Sequence, residues 1–124
     1  MKEYKSESIR NITLAAHSGA GKSILGEALL FFTGAINRMG KIEDGSTVSD
    51  FDDEEHRRSI SIYTSVLPVE YKDIKINILD TPGYTDFLGE EISALRVSDA
   101  AIILLDAVAG IEVGTELAWN YSGE

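Results

Sequence analysis

The chain has 124 residues, 44% of them apolar, a net charge of −10 and no cysteine. That is room for one domain with a real core and no disulfide or thiolate zinc site. So acidic a surface argues against general nucleic-acid binding, sequence-specific DNA binding or attachment to anionic membrane. The longest apolar run, Ala100 to Leu105, is too short to cross a bilayer, and the polar start MKEYKSESIR does not read as a signal peptide. A soluble, cytoplasmic protein is the expectation.

In chain order, Ile9, Ile12 and Leu14 mark a short β-prone run ending at Ala16. Small residues with Gly19 and Gly21 follow, and then Leu25, Ala28, Leu29 and Phe32 fall at helical spacing, with Gly34 as a stop. The stretch from Gly34 to Arg58 has no periodicity. Between Glu43 and Glu55 it carries seven acids and no base. A loop of this length is functional or mobile. Ser61 to Glu70 and Ile74 to Asp80 read as two strands, and the short connection at Tyr71-Lys72-Asp73 predicts a hairpin. After the turn sequence Asp80-Thr81-Pro82-Gly83, Leu88, Ile92 and Leu95 share a helical face. Ala100 to Leu105 reads as a strand buried on both sides, and Val113, Leu117 and Tyr121 begin a last helix. This alternation predicts an α/β domain, a mostly parallel sheet with one antiparallel edge strand, flanked by helices. No strand follows the last helix, so the edge at Ala100 to Leu105 is expected to be open and the chain to be a piece of a longer protein. Trp119 is expected in the core, the Phe31-Phe32 pair in the core or at a helix end, and His17 and His56 are structural or exposed.

The stretch Ala16-His17-Ser18-Gly19-Ala20-Gly21-Lys22-Ser23 has the parts of a phosphate cradle. Glycines let successive backbone N–H groups converge on an anion, and the next helix points its N-terminus at it. Lys22 can reach the β- and γ-phosphates, and the Ser23 hydroxyl can reach Mg²⁺. The strict pattern has glycine where Ala16 stands. Asp80 closes the second motif, where an aspartate at a strand end can hold Mg²⁺ through water, and the Gly83 N–H can meet a γ-phosphate. Ser61 can bring a second hydroxyl to the metal. The loop before it would be ordered by the γ-phosphate and unstructured without nucleotide.

The stretches IRNITLAAHSGAGKS, FFTGAINRMGKIEDGSTVSDF, NILDTPGYTDF and ALRVSDAAIILLDAVAGIEVGTELAW cover nearly the whole chain in order. In them the chain resembles the start of the GTPase domain of elongation factor G and its relatives, and Ala16 fits that family. The resemblance implies a P-loop NTPase fold of the translational GTPase type, C-terminally truncated, with residues 1–124 forming a partial GTP-binding domain that lacks the base-reading NKxD-type and SAx-type motifs. It implies GTP and GDP as ligands, the ribosome as partner, and Ala16 to Ser23 and Asp80, Thr81, Pro82 and Gly83 as the nucleotide-binding residues. Ser23, Ser61 and Asp80 would serve Mg²⁺, and Lys22, Gly83 and Tyr84 the reaction. Four positions depart from the family's pattern. Ser23 and Ser61 stand in place of threonine, Gly19 in place of an aspartate, and Tyr84 in place of the histidine that positions the attacking water. A tyrosine cannot become an imidazolium, and losing such a group costs about 10²–10⁴-fold. The departures suggest a divergent paralogue or a ribosomal protection protein. Two functions stay open: a slow GTPase acting on ribosomes, and a nucleotide-sensing module with little hydrolysis.

Overall fold

Across residues 2–123, which a computed structural model describes, four strands form one sheet. They are β1 (Ile9–Ala15), β2 (Ser65–Tyr71), β3 (Ile74–Asp80) and β4 (Ala100–Ile103), in the order β2-β3-β1-β4. β1 is parallel to β3 and β4, whereas β2 is the antiparallel edge. Four helices complete the domain: α1 (Lys22–Phe32), α2 (Asp53–Arg58), α3 (Leu88–Leu95) and α4 (Val113–Ser122). The expected α/β layout with one antiparallel edge is therefore what forms.

The side-chain alternation of β1 divides the helices between the two faces. Leu14 packs with Leu67, Val69, Ile78 and Leu30 of α1 into the main core. Thr13, one residue earlier, faces the other way, and its hydroxyl bonds to that of Ser98, just past α3. The hairpin between β2 and β3 turns on Lys72 and Asp73, at φ +47° and +64°. Two successive left-handed residues make the turn whose twist matches a two-residue hairpin.

The structure departs from the sequence reading in several places. β2 starts at Ser65, four residues later than expected. The N–H groups of Ile62 and Tyr63 are not free for a ladder, because both donate to the Glu55 carboxylate, at 2.8 and 3.1 Å. β4 ends at Ile103 and is half-exposed rather than buried on both sides, since it is the open edge among the described strands. Trp119 is 73% exposed on α4 and not a core residue, because Gly114, Thr115 and Ala118 form the face of that helix that is buried. On α1 the buried face runs through Lys22, Gly26, Glu27 and Leu30, which leaves Phe31 and Phe32 exposed at the helix end.

The acidic segment before β2 follows a defined course that includes α2. Two buried carboxylates organise it. Glu27 of α1 accepts the N–H groups of Gly40 at 2.7 Å and Val48 at 3.0 Å. Glu55 accepts four, from Phe51, Asp52, Ile62 and Tyr63. Asp52 and Glu55 also form the capping box that starts α2, with acids in its first turn and His56, Arg57 and Arg58 in its last. Each sign of charge thus lies at the helix end that favours it. Glu55→Ala is expected to leave four N–H groups without their acceptor and to loosen this segment alone. Hydrogen exchange should then lose protection across residues 51–63 while β1 and β3 amides keep theirs; equal loss in both would contradict this.

Candidate functional site

β1 and β3 run in register with Leu14 opposite Asp80, so the glycine-rich loop after β1 and the turn after β3 emerge side by side. Thr81 ties them together. It is fully buried, and both its N–H and its hydroxyl donate to the Leu14 carbonyl, at 3.4 and 2.7 Å. In the loop, Gly19 and Gly21 adopt φ +84° and +96°. A Cβ would clash with nothing at either position, so the need for glycine there is conformational. Gly21 directly precedes α1, and no side chain caps that helix, leaving its first N–H groups for a ligand.

These parts line a cleft of about 330 Å³ walled by Ser18, Gly19, Lys22, Ser23, Ser61 and Tyr84. Lys22 is only 6% exposed, and its ammonium donates to the Ala16 carbonyl at 3.4 Å. Burial lowers its pKa, while Asp80, Glu91 and Asp50 raise it back in part. Asp80 is 1% exposed, and neither of its carboxylate oxygens has a hydrogen-bond partner of full geometry among the described residues. Burial pushes its pKa up to about 6, against the lowering influence of the Ser23 hydroxyl and the Lys22 ammonium. The Ser23 and Ser61 hydroxyl oxygens lie 3.4 Å apart. Gly83 passes so close to the loop that a Cβ there would lie 2.7 Å from Lys22 Nζ and 2.8 Å from Ser18 Cα. Tyr84, 43% exposed, stands at the rim.

The sequence-predicted site residues thus converge, with different parts. Ala16, Thr81 and Pro82 are buried supports, and Ala20 closes the loop by donating to the His17 carbonyl at 3.3 Å. His17 faces away from a phosphate role. Its Nδ1 accepts the Gly114 N–H at 3.1 Å, which fastens the cradle to the start of α4. His56 is structural, bonded through Nε2 to the Asp50 carbonyl. Sequence reasoning missed Asp50, which accepts the Ser61 hydroxyl at 2.6 Å and so holds it at the cleft. It was one acid among seven in its block, and nothing local distinguished it. Ser59, also on the cleft wall, sits at φ +53°, a strained conformation for a residue with a side chain.

A glycine loop between strand and helix, a buried lysine and a strand-end aspartate on the neighbouring parallel strand define a P-loop nucleotide-binding domain. The family profile described as "Elongation factor Tu GTP binding domain" matches residues 7–123, and the chain belongs to that family. The chain is 42% identical over 115 residues to "Ribosome-releasing factor 2, mitochondrial" of Kluyveromyces lactis, covering 92% of this chain and 14% of that protein. It is 42% identical over 120 residues to "Elongation factor G 2" of Hahella chejuensis, covering 97% of this chain and 18% of that protein. Among solved structures, one of a Thermus thermophilus protein superposes with a TM-score of 0.91 at 41% identity, over 94% of this chain and 18% of that one. A bacterial selenocysteine-specific elongation factor shares the fold, with a TM-score of 0.71 at 21% identity, over 92% of this chain and 17% of that one. The chain therefore spans less than a fifth of each of these proteins. No helix among the described residues is long and apolar enough to cross a membrane.

The two buried carboxyl groups make stability depend on pH. Asp80 is raised from 3.8 to about 6 and Glu91 from 4.5 to about 7, each by burial. Both hold a proton more tightly folded than unfolded. Their contribution is therefore complete below the unfolded values and is lost as pH rises through about 6 and about 7. For Asp80 the loss is about 3 kcal/mol. Urea denaturation should show Asp80→Asn flattening the fall in stability between 3.8 and about 6, and an unchanged curve would contradict the assignment.

Proposed function

We propose that this chain is the phosphate-binding part of a GTP-binding domain, that it binds GTP and GDP with Mg²⁺, and that it hydrolyses GTP as part of an elongation factor G-like translation factor acting on ribosomes in the cytoplasm. Its 124 residues would be a partial domain. The observation that carries the reading is the buried Asp80 carboxylate, without a hydrogen-bond partner among the described residues, beside a glycine cradle and a buried lysine. A carboxylate is kept in such a place at a cost unless something cationic completes it.

The donor set suits magnesium. Among the described residues no three His, Cys, Asp or Glu side chains are grouped so as to hold a metal ion, so a cation would be held by hydroxyls, one carboxylate and phosphate oxygens. Ser23 and Ser61 would supply the hydroxyls, Asp80 the carboxylate through water, and Asp50 would orient Ser61. When bound, Mg²⁺ neutralises charge on the β- and γ-phosphates.

The first N–H groups of α1 and those of residues 18–21 would receive the phosphate oxygens, and Lys22 would pair with the β- and γ-phosphates. Gly83 would donate its N–H to the γ-phosphate. The Tyr84 phenol, at the rim, would hydrogen-bond the attacking water and hold it in line. Water oxygen then bonds to the γ-phosphorus as the bond to the β-phosphate oxygen breaks, giving GDP and phosphate. Tyrosine offers no imidazolium, so the intrinsic rate is expected to be low. The same residue favours the second reading, a nucleotide sensor.

Single-turnover GTP hydrolysis with and without ribosomes tests this. Acceleration by ribosomes, with loss on Tyr84→Phe, is expected for the GTPase. A rate indifferent to both would make the chain a sensor. Lys22→Ala should weaken MgGTP binding by about 10²-fold or more in calorimetry. Gly83→Ala should spare GDP binding and slow hydrolysis by about 10²–10³-fold, because its Cβ would drive the turn off Ser18.

A further inference from the structure

The glycines that let residues 16–21 curve around an anion also make that loop costly to hold still. Its second half is fixed by α1, where the Leu25 N–H donates to the Gly21 carbonyl at 3.0 Å. Its first half has a different anchor. His17 lies between the buried Ala16 and the cleft-lining Ser18, and its side chain reaches α4, whose described residues do not line the cleft. There Nδ1 accepts the Gly114 N–H at 3.1 Å. Gly114 is the second residue of α4, so this N–H has no acceptor inside the helix and needs one from outside.

A ring nitrogen that accepts carries no proton, so the proton of the neutral imidazole is on Nε2. Nε2 faces the Glu112 carboxylate at 3.7 Å, which favours this orientation of the ring. The approach is close enough to require glycine, because a Cβ on Gly114 would lie 2.7 Å from His17 Cα and 2.8 Å from Nδ1. The first turn of α4 is itself held in place. The Glu112 N–H donates to the Thr115 hydroxyl at 3.2 Å, and Gly114, Thr115 and Ala118 are buried. Next along the loop, Ser18 meets the second phosphate turn, where a Cβ on Gly83 would lie 2.8 Å from Ser18 Cα. The His17 carbonyl accepts the Ala20 N–H at 3.3 Å, so whatever holds His17 also holds the bend of the loop.

We propose that His17 is a positioning residue for the nucleotide: latched to the first turn of α4, it keeps the N–H groups of the cradle aimed at the phosphates before they arrive. This rests on the proposed function. The latch touches no part of the nucleotide and acts through Ser18 to Ala20. Its effect is preorganisation, since a loop already in shape gives up less freedom on binding. A helix outside the cleft thereby sets the affinity of the cleft.

Calorimetry with MgGDP on the full 124-residue chain tests this. His17→Phe keeps a ring but removes the acceptor, and should weaken binding about five- to tenfold. His17→Asn puts an amide oxygen in the place of Nδ1 and should restore most of that loss. Coupling is reciprocal, so in the wild type saturating MgGDP should slow exchange of the Gly114 amide by about the same five- to tenfold. That measurement needs no variant to fold. His17→Phe binding as tightly as the wild type, His17→Asn binding as weakly as His17→Phe, or a Gly114 amide indifferent to MgGDP overturns this inference alone. No uptake of MgGDP or MgGTP by the wild type overturns the proposed function and this inference with it.

Discussion

The site depends on the parallel register of β1 and β3. Pairing Leu14 with Asp80 brings the ends of two strands that are far apart in sequence to the same level, and the loops leaving them have to share one space. Parallel strands need a long crossover between them, and here the crossover contains α1, the acidic segment, α2 and β2. The connection that topology requires is thus also the segment that brings Ser61 and Asp50 to the cleft. Thr81 makes the junction stiff by giving both its donors to the Leu14 carbonyl.

Charge is arranged in two layers around that junction. In the inner layer, Lys22, Asp80 and Glu91 are all buried; Lys22 donates to the Ala16 carbonyl, while both Asp80 oxygens and the Glu91 Oε1 have no hydrogen-bond partner among the described residues. Such a group of charges is poorly stabilised by itself and well suited to accept a polyanion with a cation. In the outer layer, Glu27 and Glu55 are equally buried but satisfied by backbone N–H groups, two for Glu27 and four for Glu55. These carboxylates shape the segment facing the cleft. The contrast separates acids satisfied by backbone N–H groups from acids with oxygens that have no hydrogen-bond partner among the described residues.

Much of this was legible from local chemistry. The strand, glycine turn and helix around Lys22 follow from residue types whose backbone preferences are strong, and the hairpin at Lys72-Asp73 follows from two alternating runs with a short gap. The α2 helix went unread although Asp52, Glu55 and the basic run at 56–58 carry a capping box and a favourable charge gradient. A helix of six residues is too short to show apolar periodicity. Trp119 was misjudged because size and apolarity suggest burial, whereas burial is decided by which face of the helix meets the sheet.

Read by itself, the chain determined its kinds of element, their order and the two phosphate-type motifs, because these depend on φ preferences, periodicity and residues adjacent in sequence. It did not determine which acids are satisfied. Glu27, Glu55, Asp50, Asp80 and Glu91 are chemically alike in a list of residues. Their roles separate only when folding sets how many N–H donors, hydroxyls and cations each can reach, and how much water remains around it.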